Sequence, residues 1–99
     1  MADVTAEEAA HAHARAAVAG DLTKLMTDLT PEALAKAMAQ ASGGLQGVND
    51  YELKLHAQEG DEYVFDITYK ASAASMTLRD RFREVNGQWR VVDLERVDR

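Results

Sequence analysis

Residues 51–70, YELKLHAQEGDEYVFDITYK, decide the fold. Tyr51, Leu53, Leu55 and Ala57 alternate with Glu52, Lys54, His56 and Gln58; beyond Glu59-Gly60-Asp61, Tyr63, Phe65, Ile67 and Tyr69 alternate with Glu62, Val64, Asp66, Thr68 and Lys70. A period of two marks strands half buried on a layer, with one face apolar. Parity then sets the register, because a hairpin must place apolar on apolar. A two-residue turn at Gly60-Asp61 would oppose Leu55 to Asp66, so a three-residue loop, Glu59 to Asp61, is expected. It restores Leu55 with Phe65, Leu53 with Ile67 and Tyr51 with Tyr69.

Toward the C-terminus the same pattern predicts two more strands. Met76, Leu78 and Phe82 alternate with Thr77, Arg79, Arg81 and Arg83, and the last strand holds Trp89, Val91 and Val92. Asn86-Gly87 between them is a strong hairpin signal, since both residues tolerate the positive φ of a type I′ turn. With that turn, Phe82 opposes Val91, Glu84 opposes Trp89 and Asp80 opposes Asp93. A symmetric loop over Ala71 to Ala74 sets Tyr69 beside Met76, Ile67 beside Leu78, Phe65 beside Asp80 and Tyr63 beside Phe82.

Toward the N-terminus the period lengthens to that of helices. Thr5 with Glu8 three positions on forms a capping box, Thr5 to Ala19 are strong helix formers, and Gly20 is a stop. Asp21 caps a short second helix carrying Leu22, Leu25, Met26 and Leu29. Thr30-Pro31-Glu32 opens a third that runs to about Ser42 and ends at Gly43-Gly44, with Leu34, Met38 and Ala41 as its expected buried stripe. The expected fold is α+β in one domain: three helices packed on one face of a curved four-stranded antiparallel meander.

The 99 residues allow one core. A net charge of -6 repels a phosphate backbone, so no nucleic-acid partner is expected. No run of about 18 apolar residues marks a membrane span. Asp3, Glu7 and Glu8 stand where a secretory signal carries basic residues, so a cytoplasmic location is expected. There are no cysteines to supply a thiol nucleophile. His11 and His13, two apart on a helix, diverge instead of chelating, and no metal site is expected. Gly43-Gly44-Leu45-Gln46-Gly47 lacks the Lys-Ser/Thr of a phosphate loop.

The alanine-rich first helix closing on Ala19-Gly20-Asp21-Leu22, two further helices, and a sheet ending in Asn86-Gly87-Gln88-Trp89-Arg90-Val91-Val92 resemble the nuclear-transport-factor-2-like superfamily. Its members include SnoaL-like polyketide cyclases and ketosteroid isomerases. The resemblance implies a cone-like, cystatin-like architecture, a ligand pocket at the open end, frequent dimerisation, and a tyrosine working with an aspartate. The chain is short for the group, and the strand usually found between the second and third helices would have to fit into Thr27 to Leu29.

Parity places Asp80 on the apolar face between Leu78 and Phe82, with Asp93 across from it. Two carboxylates that close cannot both ionise cheaply, which prepares one as a general acid or base. Tyr69 is expected to complete the catalytic set by donating to a ligand oxygen. Tyr51, Tyr63, Phe65, Met76 and His13 are the expected ligand-binding residues, around a small apolar molecule, with proton transfer beside a carbonyl and no cofactor. His56 falls on the polar face of its strand. On the outer sheet face Asp66 pairs with Arg79 and Glu62 with Arg83, while Arg90 joins the same stripe. Val64, Arg81, Val92 and Leu94 make a mixed surface suited to homodimerisation. The alternative function is a non-catalytic dimeric interaction module whose pocket is filled by its own side chains.

Overall fold

The computed structural model describes residues 5–41, 47–72 and 74–97. Three helices precede a sheet: α1 (Ala6–Ala19), α2 (Leu22–Asp28) and α3 (Pro31–Ala41), then β1 (Asp50–Glu59), β2 (Glu62–Lys70), β3 (Ser75–Val85) and β4 (Gln88–Arg96). The strands form an open antiparallel meander in the order β1-β2-β3-β4. This is the α+β architecture expected from the change of period. The glycine run expected to stop α3 lies outside the described residues. Among the described residues no helix is long and apolar enough to cross a membrane.

Helix ends are set locally. Thr5 Oγ1 accepts the Glu8 amide at 3.1 Å and Glu8 Oε1 accepts the Thr5 amide at 2.9 Å, which satisfies two donors that have no partner inside α1. Gly20 at φ 75° turns the chain out, and the Asp21 amide returns to the Ala16 carbonyl at 2.9 Å. Asp21 Oδ1 accepts the Lys24 amide and Thr30 Oγ1 the Ala33 amide, opening α2 and α3.

The core forms where the alanine face of α1 (Ala6, Ala10, Ala14) and Ala33 of α3 meet Phe65, Ile67, Tyr69, Phe82, Val91 and Leu94 of the sheet. Small side chains let the helices lie close on the pleated surface. That closeness corrects the stripe expected for α3. Ala33 and Ala37, four apart, face the core, while Leu34 is half-buried and Met38 is 68 % exposed. Backbone approach, not side-chain size, selects the packed face. Ala41 lies beyond the side chains whose burial is described.

Two β-bulges, each one residue long, decide which side chains point inward. The β2–β3 register is as expected throughout, from Tyr63↔Phe82 to Tyr69↔Met76. In the first hairpin Tyr51↔Tyr69, Leu53↔Ile67 and Leu55↔Phe65 also hold. The loop does not: Glu59 pairs with Glu62 across a two-residue Gly60-Asp61 turn, and the extra residue is absorbed at His56. Gly60, at φ 62°, makes the tight turn available. A bulge moves the parity change into the strand, with the same result for the buried face.

The second bulge overturns the expected pairing of Asp80 with Asp93. Asn86 and Gly87 take φ 53° and 80°, and Phe82↔Val91 and Glu84↔Trp89 follow as expected. Beyond them the register shifts past Val92, so Arg81 pairs with Asp93 and Asp80 with Leu94. An unbroken ladder would have buried a second carboxylate and left Leu94 in water. The bulge buries Leu94 to 4 % exposure instead, worth about 2 kcal/mol of apolar transfer. Leu94 therefore faces the core rather than the outer surface expected of it. Asp93 turns outward to Lys36 of α3.

Between α2 and α3, Leu29 forms a parallel bridge with Val91, and the Thr30 amide donates to the Val91 carbonyl at 3.0 Å. The segment Thr27 to Leu29 thus meets the edge of β4 for a single residue.

Candidate functional site

α1, α2 and the inner face of β3 bring four side chains into one line. His13, on the buried face of α1, places Nδ1 2.9 Å from Asp28 Oδ2. Asp28, the last residue of α2, accepts from Lys24 Nζ through Oδ1 at 2.8 Å. On the far side of the imidazole, His13 Nε2 stands 3.7 Å from Asp80 Oδ2 on β3. His13 separates the two carboxylates instead of converging with them on a point. Among the described residues there is no cluster of His, Cys, Asp or Glu that could hold a metal ion.

Asp80 is the unusual group. It is 1 % exposed, and its Oδ1 has no hydrogen-bond partner. A buried carboxylate without a donor disfavours its own charge. Burial pushes its pKa up to about 6, His13 opposes that rise, and Asp66 across the strand adds to it. The cause is desolvation, not the neighbouring carboxylate that parity suggested. Asp28 responds the other way: burial raises its pKa, but the hydrogen bonds from His13 and Lys24 outweigh burial and hold it below the usual carboxylate range. With Asp28 ionised, a proton on His13 Nδ1 has its acceptor there, and Nε2 is the nitrogen that faces Asp80.

Asp80 and His13 stand in the wall of a cavity of about 360 Å³ between helices and sheet. The rest of its lining is aliphatic, including Ala17, Leu25, Leu29, Met76 and Leu78, apart from the Tyr69 hydroxyl. Leu22, also in the lining, is 68 % exposed and marks the mouth. Burial, with the charges of Asp80 and Tyr51, raises the Tyr69 pKa well above that of a free phenol, so its hydroxyl keeps its proton. The volume is at the small end of ligand pockets.

The residues expected from sequence divide between this cavity and elsewhere. Asp80, Tyr69, Met76 and His13 come together here. Asp93 does not; the hydrogen bond from Lys36 holds its carboxyl below the usual range, on the outer side of the sheet. The Tyr51 hydroxyl and His11 Nδ1 share a hydrogen bond at 2.7 Å, and Tyr63 accepts from Gln58 at 3.1 Å. Tyr63 and Phe65 line a second hollow beside the start of α1, with Leu53 and Leu55. Both Asp28 and Lys24 escaped the sequence reading. A signal was available, because an acid closing a helix sits at the negative end of the dipole and needs a partner from outside the helix.

On the outer face the expected ion pairs are present. Arg79 binds Asp66 through two nitrogens at 2.8 and 3.2 Å, and Arg83 reaches Glu62 at 3.2 Å. Arg81 bridges Glu59 and Glu62. Arg90 instead donates to the Thr27 carbonyl at 3.1 Å, near the C-terminal end of α2. His56, at the bulge, lies 3.9 Å from Asp66. Val64 is buried within the chain itself, and Val92 is half-buried.

The chain matches no family model, no characterised protein and no solved structure, so any function must be argued from the site itself.

Proposed function

We propose that the chain binds a small, largely aliphatic carbonyl compound in the cavity between helices and sheet, and that Asp80 moves a proton at the carbon beside the carbonyl. The observation that carries this reading is the buried Asp80 carboxyl, its Oδ1 unpartnered, in a cavity otherwise almost wholly apolar. A carboxyl raised to about 6 is balanced between holding and releasing a proton near neutral pH, as acid/base work requires. Tyr69, in the same wall and still protonated, donates to the ligand oxygen as negative charge develops there. His13 stands behind Asp80 and accepts its proton. The chemistry calls on no cofactor. The order of elements and the bridge at Leu29↔Val91 support the nuclear-transport-factor-2-like reading of the fold.

The test is deuterium uptake in D2O at the carbon next to the carbonyl, followed by proton NMR for a panel running from cyclohexanone to monocyclic enones. Acceleration by the wild type should fall about a hundredfold in Asp80→Asn. Tyr69→Phe should weaken it as well. If no member of the panel exchanges faster than in buffer, the catalytic reading is wrong. The alternative, a dimeric module joined through the outer sheet face around Val92 and Arg81, predicts a dimer at micromolar concentration that Val92→Asp dissociates. A wild-type monomer in that measurement removes it.

A further inference from the structure

We propose that Lys24, Asp28 and His13 form a proton path that connects Asp80 to solvent when the cavity is filled. The four side chains are ordered by depth as well as by contact. Their exposure falls from 43 % at Lys24 to 9 % at Asp28, 7 % at His13 and 2 % at Asp80. The links are 2.8 Å from Lys24 to Asp28, 2.9 Å from Asp28 to His13 and 3.7 Å from His13 to Asp80. They arise from three elements, α2, α1 and β3, so no single helix or strand dictates the alignment.

An apolar ligand seated against Asp80 blocks the mouth at Leu22 and with it the direct approach of water. A carboxyl that has gained a proton must then lose it by another route before it can act again. Imidazole supplies that route because it has two nitrogens facing opposite ways. The Asp80 O–H bond breaks as a bond forms to His13 Nε2, the Nδ1–H bond breaks, and that proton passes to Asp28 Oδ2. Asp28 yields it to water beside Lys24, whose ammonium holds the Asp28 carboxylate in place and favours its return to the ionised form. One proton leaves Asp80 and one enters solvent; His13 ends with its proton on Nε2, and turning of the ring restores an N–H toward Asp28 for the next transfer. The 3.7 Å step is the one that must shorten, and contacts of this kind tighten when a site fills.

Among the described residues, Tyr69 and Asp66 of β2 have charges that act on Asp80 or respond to it, and Arg90 of β4 donates to the Thr27 carbonyl next to Asp28. None of these continues the path. Tyr69 keeps its proton in the cavity wall, and Asp66 is held by Arg79.

The inference rests on Asp80 being the cavity's proton-exchanging group, but its test uses no substrate. Carbon-13 spectra of the aspartate carboxyl groups are recorded on the full chain from pH 4.5 to 8, in benzene-saturated buffer, with benzene as an inert plug for the cavity. Wild type should show one Asp80 resonance moving with pH, the sign of rapid proton exchange. Asp28→Asn keeps an acceptor for His13 but cannot take the proton, and should split or broaden that resonance near its midpoint. Asp28→Glu should restore the single line. A single moving line in Asp28→Asn overturns the path, and so does a split line in wild type. If Asp28→Asn does not fold, His13→Gln takes its place: a split or broadened Asp80 line supports the path, and a single moving line overturns it. A conducting path beside a cavity that turns over no carbonyl compound, and catalysis at Asp80 with no path, are separate and distinguishable results.

Discussion

Asp80→Asn should make the fold more stable at neutral pH, and the gain should depend on pH in one window. The folded protein holds the Asp80 proton up to about pH 6, whereas the ordinary value is 3.8. Between those limits the native state binds a proton that the unfolded chain has released, so stability falls as pH rises. Each pH unit costs about 1.4 kcal/mol, and a window of roughly two units gives about 3 kcal/mol. Above about pH 7 both states are ionised and the loss is complete; below about pH 4 both are protonated and it vanishes. Asparagine has the same shape and no charge, so it escapes the loss. For a domain of this size the difference corresponds to about 15 °C in melting temperature at pH 7.5. Urea and thermal unfolding of wild type and variant, from pH 4 to 8, measure it directly. A parallel pair carrying His13→Gln separates the ionisation of Asp80 from its coupling to the imidazole. A difference between wild type and Asp80→Asn that stays flat from pH 4 to 7 would refute the reasoning, because it would mean that the carboxyl is solvated in the folded state.

Asp28 acts in the opposite sense: its lowered pKa stabilises the fold above the ordinary carboxylate value, and that stability is lost as pH falls through the folded value. Acid unfolding of Asp28→Asn should therefore be shallower below about pH 4, and Asp28→Ala should cost about 2 kcal/mol at pH 7 by leaving the His13 donor unmet. Thr5→Ala removes the hydroxyl half of the α1 capping box, and thermal melts should show a loss of about 1 kcal/mol. Gly87→Ala meets open space but keeps φ at 80°, so urea titration should report about 1 kcal/mol of backbone strain and no change in the cavity. Leu94→Asp, which reverses what the β4 bulge achieves, should leave little folded protein by circular dichroism at 25 °C.

The parts of this protein legible in its sequence are those fixed within a few residues of chain. Thr5 and Glu8 cap each other within one turn, Gly20 ends a helix through its own φ, and Asn86-Gly87 closes a hairpin whose flanking pairs follow by counting. Period and parity therefore yielded the three helices, the four strands, the whole β2–β3 register and the place of Asp80 on the apolar face. Counting fails where the chain can insert one unpaired residue at small local cost. The bulges at His56 and Val92 are such places, and only the packing of Leu94 against helices distant in sequence makes the second worthwhile. One residue of slip separated Asp93 from Asp80. The partner Asp80 does have, His13, lies on α1 and is oriented by Asp28 from α2. Contacts between elements depend on how closely the helices settle onto the sheet, which Ala10, Ala14 and Ala33 allow but no local pattern records. The sequence alone determined the elements and the inward-facing carboxyl; the tertiary structure decided what that carboxyl faces, because burial and long-range pairing exist only once the layers are packed.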